Sequence, residues 1–125
     1  MRYACLVYYD PLKVFRPNPE TAAETAAVLA DCQTHDQELQ ASGMLVASEA
    51  LQLPESAMTV RVRDGNMSVT DGPFMETKEM LGGVVLIDAR DLNHALQVAA
   101  GIPLAKLGAI EVRPVVDFSQ PRPEL

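Results

Sequence analysis

Two segments of this 125-residue chain, Arg2–Tyr9 and 84–87, are apolar on successive as well as alternate positions. As strands they therefore offer apolar side chains to both faces of a sheet, whereas a face left to water alternates with polar residues. Both faces need cover, and the chain has only two stretches suited to supply it as helices. From 21 to 42 there is no proline or glycine and alanine is abundant, while Gly43 provides the stop. At roughly 100° per residue, Thr25, Val28, Leu29, Cys32, Asp36 and Leu39 share one face, with His35 at its edge. The second helix starts at Asp91, a good N-cap, places Leu92, Ala95, Leu96 and Ala99 on one face, and ends at Gly101-Ile102-Pro103.

The remaining segments read as short strands and turns. Pro11, Pro17 and Pro19 predict a loop after the first strand, Leu45–Ala50 a second strand, and 51–57, broken by Pro54, another loop. Segment 59–63 alternates, and Asp64-Gly65-Asn66 is a hairpin turn that returns the chain along 67–70. Asp71-Gly72-Pro73-Phe74 breaks that pattern, and Gly82-Gly83 opens the apolar run 84–87. In the last strand, 110–116, Ile110 and Val112 oppose Glu111 and Arg113. The order predicts an α+β fold: a split β-α-β arrangement, two helices on one face of a mainly antiparallel sheet, with a β-hairpin added in the middle. A single domain spans 1–118, and the tail 119–125, with Pro121 and Pro123, is expected to fray. Two helices cover only one sheet face, so a second copy of the chain is expected to cover the other, giving a homodimer packed sheet to sheet.

Composition narrows the function. Ten basic against seventeen acidic residues give a formal charge of −7, which disfavours nucleic acid and anionic membrane as partners. The N-terminal apolar run stops at Asp10, too early for a secretory signal, and no run approaches the length of a membrane span. Cys5 and Cys32 lack metal-site spacing and read as two buried thiols in a reducing compartment, so the expected location is cytoplasmic. No His, Cys and carboxylate cluster has metal spacing, and nucleotide-binding and nucleophile-elbow patterns are absent, so neither metal nor cofactor is expected.

The run from Asp71-Gly72-Pro73-Phe74 through Met75-Glu76-Thr77-Lys78-Glu79-Met80-Leu81 to Gly82-Gly83 closely resembles the DGPF branch of the YCII-related family. Leu86-Ile87-Asp88, Ile110 to Pro114, the hairpin Val60 to Gly65 and the helix start Asp91-Leu92 match in order, so the resemblance covers nearly the whole chain from Arg2 to Val116. It implies a ferredoxin-like fold that dimerises as an α/β barrel, in a branch without a settled activity, some of whose members are associated with extracytoplasmic-function sigma factors. It does not extend to the His–Asp dyad proposed for the broader family, because His35-Asp36 stands at the wrong distance from Gly43.

The residues suggest where chemistry would sit. Asp71 can hold the Gly72-Pro73 turn as an Asx cap or act in a site, and Phe74 reads as a core plug. Glu76 and Glu79 are placed to move a proton, Lys78 to bind an anion and Thr77 to orient it; the alternative is a solvated charge run. Arg113 either holds a carboxylate or phosphate in the inter-sheet cavity or pairs with Glu111. Asp36, inside an apolar stripe, needs a partner, for which an arginine or the Tyr8 or Tyr9 hydroxyl is available. The sequence thus predicts a small-molecule site between sheets, with Asp71, Glu76 and Glu79 as catalytic residues and Thr77, Lys78 and Arg113 as ligand-binding ones. The chemistry would be cofactor-independent acid–base work, isomerase-like or lyase-like, on a small polar or anionic molecule. The alternative is a non-catalytic ligand-binding or regulatory dimer, for which the resemblance adds a sigma factor as partner.

Overall fold

The computed structural model describes residues 1–15 and 18–120. Six strands and three helices follow one another as β1 (Arg2–Tyr9), α1 (Pro11–Val14), α2 (Ala22–Ala41), β2 (Leu45–Ala50), β3 (Met58–Arg63), β4 (Asn66–Asp71), β5 (Met80–Asp88), α3 (Leu92–Ala100) and β6 (Gly108–Pro114). Strands β2-β5-β1-β6 form one antiparallel sheet, and β3 and β4 form a separate hairpin. This is the ferredoxin-like order expected from the sequence, with the hairpin inserted between β2 and β5.

The register sorts the sheet residues by face. Tyr3, Cys5, Val7 and Tyr9 of β1 and Val85 and Ile87 of β5 are buried, and with Val14, Leu39, Ala95, Ala99 and Ile102 they form one core. Helix α2 turns the expected stripe inward: Thr25, Val28 and Leu39 are buried, and Leu29, Cys32 and Asp36 partly so. Both cysteines are free thiols held above their ordinary pKa of 9.0 by burial, Cys32 being raised further by Asp36 and Asp31. Asp36 finds its partner in Ser48 of β2, whose Oγ donates to Oδ2 at 2.8 Å, rather than in an arginine or tyrosine. Its neighbour His35 brings Nε2 close to Gly101 at the end of α3.

Several boundaries differ from the sequence reading. Asp10-Pro11 begins a turn of helix rather than a loop, because Asp10 Oδ1 accepts from Leu12 N at 3.0 Å and proline is tolerated at the first helical position. Pro17, Pro121 and Pro123 lie outside the described residues. A short 3-10 turn at Pro54–Ser56 also replaces expected loop, and another follows the end of α3 at Pro103–Lys106. Strand β5 begins at Met80, four residues before Val84, and runs through both glycines. Val7 pairs with Gly83 and Tyr8 with Leu81, so Gly82 is the extra residue of a bulge, and a β-carbon there would collide with the buried Tyr9 ring. The last strand ends at Pro114 rather than 116.

The face of the sheet opposite the helices is uncovered within one chain. Its centre is Ala4, Leu6, Tyr8, Val84 and Leu86, all half-buried, with Glu49 on β2 at one margin and Glu111 and Arg113 on β6 at the other. The hairpin stands away from the sheet. Met58, Val60, Val62, Met67 and Val69 share one of its faces by register and alternation, and all remain exposed.

Candidate functional site

The uncovered face ends at Tyr8, opposite Leu81 on one side and Ala109 on the other. There two connections rise beside it: the stretch 51–57 that leaves β2, and the stretch 72–79 that joins the hairpin to β5. Between them and the sheet lies a cavity of about 760 Å³, within the range of small-molecule sites. Leu51, Leu53, Pro54, Phe74, Met75 and Leu81 make most of its wall apolar; Gln52, Thr77, Glu79 and Glu111 add polar groups.

Each wall has a local cause. Pro54 opens a 3-10 turn that Ser56 closes, its Oγ donating to Leu53 O at 2.8 Å. Gly72, at φ +94°, bends the chain out of β4, and that bend is tied to the other wall: Gly72 N donates to Ala57 O at 2.7 Å and Thr59 Oγ1 to Gly72 O at 2.9 Å. Thr59 therefore anchors the turn, and no hydrogen bond reaches the Asp71 carboxylate among the described residues. Thr77 Oγ1 donates to Glu79 O, folding the segment just before β5 begins. The Gly82 bulge then sets Leu81 beside Tyr8 on the open face.

A family model described as the YCII-related domain matches residues 1–119. The chain belongs to the YCII-related family. It is 35% identical over 117 residues to an uncharacterized protein of Rhizobium meliloti (strain 1021), with 92% of each chain covered.

In this YCII-related protein the six predicted site residues do not converge. Thr77 and Glu79 line the cavity. Asp71 ends β4, exposed, opposite Met58, and Glu76 is exposed on the connection without lining the cavity. Lys78 faces a smaller adjoining hollow of about 380 Å³ with Asp10, Lys13 and Leu107, which shares Thr77 and Glu79 with the main cavity. Arg113 Nε pairs with Glu111 Oε2 at 2.7 Å, the ion-pair alternative of the sequence reading. Phe74 is no core plug: it is 68% exposed, lines the cavity, and has the Arg61 guanidinium 4.9 Å from its ring centroid.

Tyr8, Gln52, Leu53 and Glu111 are cavity residues that sequence reasoning did not assign to a site. Tyr8 alone carried a usable signal, as the last residue of β1 on the face away from the core. Among the described residues no group of His, Cys, Asp and Glu could hold a metal ion, and no helix is long and apolar enough to cross a membrane. His94 closes the start of α3. Its Nδ1 accepts from Arg90 N at 3.1 Å, while its own backbone N–H donates to Asp91 Oδ1 at 2.8 Å.

Proposed function

We propose that this YCII-related protein is a ligand-binding homodimer that holds a small molecule in the cavity beside Tyr8. The cavity is the observation that carries the reading: about 760 Å³, mostly apolar, with a few polar groups at its wall. Binding is favoured over acid–base catalysis because Asp71, Glu76, Lys78 and Arg113 all lie outside that wall, leaving Glu79 as the one predicted proton carrier beside it. A second copy of the chain is the partner that suits the open face, since its apolar centre is flanked by both signs of charge and it continues directly into the cavity.

A metabolite library scanned by thermal shift tests the reading. Ligand present at about a hundred times its Kd stabilises by about 2.7 kcal/mol, a readily measured rise in Tm. Phe74→Ala removes an exposed ring from the wall, so the unliganded Tm should stay nearly unchanged while the ligand-induced rise falls away. Hits that stabilise both proteins equally would place binding elsewhere, and hits consumed during incubation would restore catalysis as the reading.

A further inference from the structure

Of the small polar or anionic ligands expected from the sequence, the charge of the cavity wall disfavours the anionic ones. Of the residues that line it, Glu79 and Glu111 are the ionisable acids, and no Lys, Arg or His is among them. The basic residues nearby are otherwise placed. Lys78 and Lys13 face the adjoining hollow with Asp10 and the shared Glu79, Arg61 lies over the Phe74 ring on the hairpin side, and Arg113 is bound to Glu111 from outside the lining. An entering carboxylate or phosphate would lose hydration beside Glu79 and the Arg113-paired Glu111, with no cation among the lining residues to replace the lost water.

A cation meets the reverse situation. Among the described residues no group donates to the Glu79 carboxylate, so its acceptor capacity is available. Glu111 is paired with Arg113 through Oε2 and keeps its side chain exposed at the cavity wall. Tyr8 and Phe74 supply aromatic surface, and the Phe74 ring already attracts a guanidinium at 4.9 Å. Leu51, Leu53, Met75 and Leu81 would meanwhile bury an uncharged body of about the size of one ring.

We propose that the cavity selects a molecule with an apolar or aromatic body and a protonated amine, the amine being held by Glu79 and Glu111. This rests on the cavity being a binding site and adds the chemical class of its ligand.

Three probes of one skeleton and different charge test it: phenethylamine, phenethyl alcohol and hydrocinnamate. They are titrated into the full chain at about 0.15 M ionic strength, where charges farther than about 8 Å are largely screened. The amine should bind about tenfold more tightly than the alcohol, with the carboxylate weakest. In the double variant Glu79→Gln, Glu111→Gln the amine should fall to the level of the alcohol, whose own affinity should not change. Equal binding of amine and alcohol, or tightest binding of the carboxylate, would overturn the ligand class and leave the cavity as a site. An amine preference that survives the double variant would remove Glu79 and Glu111 from the account. Binding by none of the three would overturn the cavity reading itself.

Discussion

Gly108→Ala should cost about 3 kcal/mol and lower Tm by roughly 10 °C, an unusually large effect for adding one methyl group. Gly108 opens β6 directly opposite Tyr9, and a β-carbon there would run into the carbonyl oxygen of Tyr8 and crowd the Tyr9 Cα. These are backbone atoms of the central strand, so no side-chain rotation can relieve the overlap. Either β6 moves away from β1 or the ladder loses its first pairs. The damage extends to function, because β6 carries Glu111 to the cavity and Tyr8 forms its floor. Thermal unfolding followed by circular dichroism measures the loss. A Tm within a degree or two of the parent would show that the close approach of β6 to Tyr8 is wrong.

Leu6→Glu should abolish the sheet-to-sheet pairing proposed above and leave a folded monomer. Leu6 lies at the centre of the open face between Val84 and Glu111, so the new carboxylate has no cation directly beside it. In a sheet-to-sheet pair each copy would bury one such charge. An unpaired buried charge costs about 3 kcal/mol or more, and each 1.4 kcal/mol is about a tenfold change in Kd. Association should therefore weaken by about a hundredfold or more. Folding should survive, since Tyr3, Cys5, Val7 and Ile87 pack on the other face against the helices. Sedimentation velocity at micromolar concentration should give a dimer for the parent and a monomer for the variant. A monomeric parent would remove the second copy from the account.

The parts of the fold that were legible in the sequence are those set by local rules. The absence of proline and glycine up to Gly43 marked α2, and Gly43 does take φ +79° at its end. Asp64 and Gly65, at φ +52° and +76°, make the hairpin turn that their residue types suggested. Asp91 caps α3 as expected. Where the reading failed, the answer depended on distant segments. An aromatic residue after a Gly-Pro turn looks the same in sequence whether it enters the core or, like Phe74, meets an arginine on a hairpin and stays exposed.

The candidate site was less legible for the same reason. The order Glu76-Thr77-Lys78-Glu79 suggested one functional run, yet the fold divides it between two hollows and leaves Glu76 in neither. The ion pair between Arg113 and Glu111 could be foreseen from their spacing on one strand. That Glu111 stands at the cavity wall while Arg113 stays outside it required the register of β6 on β1 and the position of 51–57. The acidic character of the cavity is a property of that assembly, and no single segment carries it.

The chain's six methionines allow the cavity to be tested directly. Met75 and Met80 line it, whereas Met1, Met44, Met58 and Met67 do not. With the methionine methyl groups labelled with carbon-thirteen, a fragment library can be screened by the six methyl signals in one spectrum. If the cavity is the ligand site, bound fragments will shift the Met75 and Met80 signals and leave the other four in place. Fragments that bind while moving only Met1, Met58 or Met67, or a library that never moves Met75 and Met80, would contradict it.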